Sequence, residues 1–410
     1  MDINRRNLLK GALGGAASTA LAGGMLVAGN NADAEAAQQG IPTAADSVPF
    51  HGVHQAGITS PHPQQRYATH VALDATAAHK VELAGLFRAI TERARFLTTG
   101  GTPPNLGVGS PPSDSDILGP RVPSDGLTVT LSVGPSLFDE RYGLAPRKPA
   151  KLIPMRNFPN DALEQDKCHG DLFLQICANH PDTVHHALRD IAKHTRGGMQ
   201  IKYRYDGFVS PPRPSGAPRN LLGFKDGISQ PTPADYEKIV WIQPGKGVPG
   251  WAVGGSYHVV RMIRMLVEFW DRVSINEQEN MFGRRRDSGA PLDGSTEFDQ
   301  PNYAKDPKGH VIPLDSHMRL ANPRTPQTAD SFLLRRPYSY DQGIDENGNM
   351  AAGLAFICFQ QDVERQFEAT QKRLIDEPLV DYIQPFGGGY FLALPGVRDH
   401  NDWLGAKLLG

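Results

Sequence analysis

The sequence predicts an α+β protein built from two similar units, and three observations lead there. Strand-like and helix-like runs are interspersed along the chain. The apolar runs Leu172-Phe173-Leu174-Gln175-Ile176-Cys177 and Leu354-Ala355-Phe356-Ile357-Cys358 each lead through a polar turn into an amphipathic helical pattern, a faint internal echo. With 410 residues, 39% hydrophobic and 21% charged, the chain has a globular composition and can bury a sizeable core.

Residues 1–34 stand apart from the fold. Asn4-Arg5-Arg6-Asn7-Leu8-Leu9-Lys10 precedes an Ala/Gly-rich, mildly apolar stretch, and Ala32-Asp33-Ala34 supplies a small-x-small cleavage pattern. Each interior glycine costs a helix roughly 1 kcal/mol relative to alanine, which argues against a membrane-spanning anchor. The segment resembles a twin-arginine signal peptide cleaved after Ala34, which directs an already folded chain to the periplasm or the extracellular space. Residues 35–66 then read as an extended arm. Residues 67–73 alternate as a strand, and 77–96 place Val81, Leu83, Leu86, Phe87 and Ile90 at helical spacing. The Gly-, Pro- and Ser-rich stretch 98–126 is irregular, and either drapes over a pocket or is an insertion. Strands are expected at 127–133, 171–177 and 201–205, with a helix at 184–194. The second half repeats the theme with strands at 257–268, 353–359 and 389–394 and a helix at 363–374.

A net charge of −2 gives no electrostatic case for nucleic acid or an anionic membrane as partner. Arg284-Arg285-Arg286 is a local run, read either as a solvated loop or as a holder of an acidic group. Cys168, Cys177 and Cys358 are odd in number and lack C-x-x-C spacing, so neither a disulfide framework nor a zinc site is expected. His180, His185, His186 and His194 read as helix-face residues without a metal-binding spacing.

The chemistry concentrates in three segments. Gly223-Phe224-Lys225-Asp226-Gly227-Ile228 sets one acid between two glycines, which permit positive φ and close approach to a planar ligand. By itself this is equally a turn in which aspartate binds backbone amides. Downstream come Leu314-Asp315-Ser316-His317-Met318-Arg319-Leu320-Ala321-Asn322-Pro323-Arg324 and Phe332-Leu333-Leu334-Arg335-Arg336-Pro337-Tyr338. Together with Gly387-Gly388-Gly389-Tyr390-Phe391 these segments resemble, in order, the dye-decolourising peroxidases over most of residues 48–400. The twin-arginine signal, Phe50-His51-Gly52-Val53-His54-Gln55 and residues 389–397 are most similar to the exported branch associated with bacterial iron-uptake operons.

That resemblance implies duplicated ferredoxin-like units, one over 67–220 and one over 221–410, the second holding one haem b in its cleft. It makes His317 the axial ligand of the haem iron, with Asp381 as its carboxylate partner and Asp376 and Glu377 as close alternatives. On the opposite haem face Asp226 takes a proton from hydrogen peroxide and returns it to the departing oxygen, while Arg335 stabilises the charge developing there. Gly227, Ile228, Asn322, Pro323 and Arg324 are carried over as haem contacts, Arg324 facing a propionate unless its turn is an ordinary surface one. Two positions depart from the family pattern. Arg336 and Pro337 follow Arg335 where some branches place an asparagine, and Ile228 stands where a small polar residue is frequent. Proline donates no hydrogen bond, so distal proton handling rests more heavily on Asp226, and an aspartate in that role predicts an acidic optimum. The implied activity is peroxide-driven oxidation of bulky dyes, phenols or porphyrins. Its alternatives are a deferrochelatase, which removes iron from haem and keeps the tetrapyrrole intact, and a non-catalytic haem carrier. Implied partners are the twin-arginine export machinery, iron-uptake proteins and a second copy of the chain in a homodimer.

Overall fold

The structure is a computed structural model that describes residues 47–410; the expected signal peptide and the start of the arm lie outside the described residues. Its first half runs Tyr67–Ala75 (β1), Lys80–Thr99 (α1), Thr128–Val133 (β2), Leu172–Ala178 (β3), Pro181–His194 (α2) and Met199–Phe208 (β4). Helix α1 forms because Leu83, Leu86, Phe87, Ile90, Ala94 and Leu97 share one buried face. Val81, expected on that face, is exposed in the first turn. Helix α2 opens with Pro181, where a missing N–H leaves no bond unmade. Strands β2 and β3 are buried along their whole length, which is why they read as apolar runs.

The second half runs Ser256–Met265 (β5), Ile275–Phe282 (α3), His317–Ala321 (α4), Leu334–Arg335 (β6), Tyr338–Ile344 (β7), Met350–Gln360 (β8), Ala369–Arg373 (α5) and Ile383–Ala393 (β9). The strand expected over 257–268 stops at Met265, and Val267–Trp270 is a helical turn. The helix expected over 363–374 begins as a π turn, Glu364–Glu368, before becoming α5. Ser274 and Glu277 close a reciprocal cap at the start of α3, satisfying amides that the helix itself leaves free.

Pairing orders are β4-β1-β3-β2 and β9-β5-β8-β7, the same order in both halves and the one a ferredoxin-like βαββαβ unit adopts, with every pair antiparallel. The halves then join. Ser132 pairs with Ala393 across β2 and β9, and Phe208 with Ser339 across β4 and β7, so eight strands close a barrel and β6 extends along β8. Closure leaves the two sheets no free edge between them. The space between them is filled by Phe173, Tyr203, Tyr205, Val260, Ile357, Phe359 and Phe391 rather than open to a ligand.

Both irregular stretches are tied down. Gln55 bonds the Leu131 and Leu394 carbonyls and the Leu131 amide, each at 2.8 Å, stitching the arm to β2 and to the residue that follows β9. The 98–126 stretch lies on α2, where Asp114 bonds His186 at 2.7 Å, and it contributes no residue to the large cavity described next. Cys168, Cys177 and Cys358 are free and buried.

Candidate active site

Strand residues point alternately to the two faces of a sheet. In β5 and β8, Val260, Met262, Ala355 and Ile357 fill the barrel, whereas Ile263, Met265, Leu354 and Phe356 face a cavity on its outer side. Phe282 of α3, His317 and Met318 of α4, and Thr370 and Gln371 of α5 line that cavity from the helical side. The space open to the centres of water molecules is about 260 Å³. The site therefore belongs to the second half, as the resemblance implied, with Asn160 reaching its wall from the first.

Asp226 is set by the loop that carries it. Its amide donates to Pro218 O at 2.8 Å, and Gly223 and Gly227 on either side adopt φ of 85° and 94°, a left-handed region that a Cβ disfavours. Arg335 comes from β6, in register with Cys358. Its Nη1 donates to Asp226 Oδ1 at 2.8 Å, and its Nη2 to Ser229 O at 3.1 Å. Gln230 fastens the two segments together: its Nε2 donates to Arg335 O at 2.7 Å, and its Oε1 accepts from Arg335 N at 3.0 Å. The guanidinium is thus fixed at both its backbone and its head. Arg336, one residue on, faces the other way, is buried, and donates to Gln65 Oε1 at 3.2 Å.

His317 opens α4 after Ser316. Its Nδ1–H donates to Glu377 Oε2 at 2.6 Å, leaving the Nε2 lone pair to a ligand. A third of the side-chain surface is open, and it lines the cavity. Burial alone would push the imidazole's pKa down, but the charge and hydrogen bond of Glu377 outweigh it and the net shift is upward. The Arg335 and Asp226 charges also reach the ring.

The carboxylate expected on His317 was Asp381, and the structure corrects this to Glu377. Glu377 is the last extended residue before the turn Pro378–Asp381 and is 2% exposed, with its carboxylate turned inward. Asp381 closes that turn facing solvent, and Asp376 is exposed as well. Gly227 and Ile228 line the cavity beside Asp226. Of the turn 322–324, Asn322 and Arg324 line it and Pro323 does not. Sequence reasoning missed the Gln230 clamp, though Gln230 sits four residues after Asp226. It also left open the direction of Arg284, which lines the cavity while Arg285 pairs with Glu279 at 2.8 Å.

These groups fit a haem. Among the described residues no three His, Cys, Asp or Glu side chains are placed to hold an ion by themselves, so His317 suits a metal whose other bonds come from a macrocycle. Much of the wall is apolar, as the faces of a flat tetrapyrrole require, and the acid and guanidinium stand in the same space.

Comparison with known proteins points the same way. Residues 55–209 match the model of the Dyp-type peroxidase N-terminal domain and 217–398 that of the C-terminal domain. A deferrochelatase of Yersinia pestis is 49% identical over 400 residues, covering 94% of this chain and 92% of that protein. A deferrochelatase of Escherichia coli O157:H7 is 49% identical over 415 residues, covering 99% and 97%. Among solved structures, a DyP-type peroxidase from Cellulomonas bogoriensis superposes with a TM-score of 0.79 at 34% identity, covering 88% of this chain and 98% of that one. Ferric DtpA from Streptomyces lividans gives 0.79 at 35% identity, covering 88% and 97%. Sequence match, strand order and site geometry agree: the chain belongs to the Dyp-type peroxidase family and is an enzyme of haem-peroxidase type.

Proposed function

We propose that this chain reduces hydrogen peroxide and oxidises bulky dyes, phenols or porphyrins, and that it works in the periplasm or outside the cell after twin-arginine export. The observation that carries the reading is the Asp226–Arg335 pair, held at 2.8 Å in the same cavity as the His317–Glu377 pair. When bound, haem supplies the redox-active iron at which peroxide is reduced, and His317 Nε2 is the atom that would hold it.

Asp226 moves the proton. Its Oδ1 is engaged by Arg335, which leaves Oδ2 to accept a proton from hydrogen peroxide and to return it to the oxygen that departs as water. Arg335 keeps its charge throughout and faces the negative charge that grows on that oxygen. Ser229 and Gln230 already hold the guanidinium in place, so little reorganisation accompanies the step.

Replacing either distal group, as Asp226→Asn or Arg335→Leu, is expected to slow peroxide consumption by about 10²-fold or more while the Soret band of bound haem persists. His317→Ala is expected to weaken haem retention instead. Unchanged turnover in both distal variants would sink the assignment.

One observation favours a second reading, iron release from haem with the tetrapyrrole intact: the relatives that match over nearly the whole chain carry the name deferrochelatase. Incubation of the purified chain with haem, without peroxide, tests it. Growth of iron-free protoporphyrin fluorescence supports this reading, and its absence returns the site to peroxide chemistry alone.

A further inference from the structure

Asp226 is one residue away from a buried ion pair that the chemistry above does not use. Lys225 and Glu297 meet from 72 positions apart in the chain, their side chains only 3% and 7% exposed. Taking two charges out of water offsets most of their attraction, so such a pair adds little stability over an apolar one of the same size. What it enforces is a single arrangement, and the arrangement here concerns the loop under Asp226.

The Asp226 amide donates to Pro218 O at 2.8 Å, and Arg219 and Lys225 face each other as an antiparallel bridge, so residues 218–226 form a small hairpin with the acid at its end. Both sides of the hairpin lead to Glu297. On one side its Oε1 accepts from the Ala217 amide at 2.6 Å, one residue before Pro218. On the other its Oε2 engages Lys225 Nζ, one residue before Asp226, and the same ammonium donates to Ser215 O at 2.7 Å. Each partner in the backbone bond that carries Asp226 is therefore the chain neighbour of a group held by one carboxylate. Glu297 is itself fixed: its carboxylate lies against Gly216, where a Cβ would overlap it, and its carbonyl accepts from Arg284 Nη1 at 3.0 Å.

We infer that Glu297 is a positioning residue for Asp226, setting the height of the acid over the cavity through Ala217 and Lys225. Glu297 does not line the cavity, so it acts only through the loop. The inference rests on the proton-moving role of Asp226 proposed above and deepens it. A shift of about 1 Å in a group that transfers a proton costs up to roughly 10²-fold in rate, which gives a remote carboxylate leverage over the chemistry.

A double-mutant cycle read by cyanide tests this. Hydrogen cyanide, like hydrogen peroxide, gives up a proton as it enters the site, so its association with the haem-loaded chain, followed by the Soret shift, reports where Asp226 stands. Glu297→Gln keeps the shape and removes the charge, and is expected to slow association by roughly tenfold or more with haem affinity kept. In an Asp226→Asn background the same change is expected to do nothing further, because both act through one group. Losses that multiply overturn the assignment. The double variant Lys225→Met, Glu297→Leu fills the space with apolar groups, and is expected to melt no lower than the wild type yet to take up cyanide as slowly as Glu297→Gln. Association at the wild-type rate in that chain overturns the assignment as well. In the chain without cofactor, hydrogen exchange at the Asp226 amide is expected to quicken by roughly tenfold in both Glu297 variants, and an unchanged rate counts against the inference. Quickened exchange in a chain that develops no Soret band with haem brings down the haem reading and leaves Glu297 standing as the anchor of the loop.

Discussion

The strength of His317 in its proposed role as the haem ligand depends on one hydrogen bond. Glu377 accepts from its Nδ1 at 2.6 Å, and a buried carboxylate there pushes electron density toward Nε2. Glu377→Gln keeps the shape and removes the charge, so haem affinity or peroxide turnover is expected to fall by about 10- to 100-fold, the usual cost of losing such a partner. Asp381→Asn, at an exposed position, should leave both unchanged. Soret titration of the two variants side by side checks this, and equal losses would restore Asp381 as the partner.

At the scale of elements, the decisive contact is between a loop and a very short strand. β6 is two residues long and has little of its own to hold it. The Gln230 amide supplies both bonds that a neighbouring strand would have made to Arg335, at 2.7 and 3.0 Å. Each is worth about 1 kcal/mol net, so Gln230→Ala should loosen the Arg335 backbone by roughly 2 kcal/mol. The expected result is slower peroxide consumption and weaker fluoride binding to the haem, with the Soret band kept. Gln230→Glu can accept from Arg335 N but cannot donate to Arg335 O, and should fall between Ala and wild type. If alanine and wild type bind fluoride equally, the clamp has no bearing on the site.

At the scale of the molecule, barrel closure creates an interior that neither half has alone. His70 of β1 and His258 of β5 both sit in it, with the Phe173 ring 6.4 Å from the first and 5.2 Å from the second. Burial lowers the His70 pKa to about 4, against the opposing charge of Asp206, and lowers that of His258 well below its usual range, with the His70 charge adding to the effect. Both are therefore held neutral in the fold and take up protons on unfolding. The stability that depends on their neutrality is complete above about pH 6.5 and falls as pH drops below it, the His70 share, on the order of 3 kcal/mol, being lost by about pH 4. Melting temperatures of the chain without cofactor should drop across that window, and His70→Gln should flatten the drop. A melting temperature constant from pH 6.5 to 4 would contradict it. An enzyme with an acidic optimum would thus work close to the acid limit of its own fold.

Local sequence was enough for several parts of this protein. Helix α1 and strands β2 and β3 are contiguous stretches whose periodicity carries its own explanation, whereas the segments around Asp226, His317 and Arg335 stood out only through their resemblance, in order, to a known family. Strands β6 and β7 were not legible as such, because Arg336-Pro337 interrupts a run that β8 holds together from the other side. The choice of Glu377 over Asp381, the inward turn of Arg284 and the Gln230 clamp depended on which way a side chain faces once distant elements meet. Barrel closure through Ser132–Ala393 and Phe208–Ser339 joins residues more than a hundred positions apart, and no local pattern encodes such pairings. The sequence alone thus determined the chemistry available and most of the elements that carry it. The tertiary structure decided which charges are paired, which face a cavity and which stay neutral, because burial and partner distance exist only once the chain has closed.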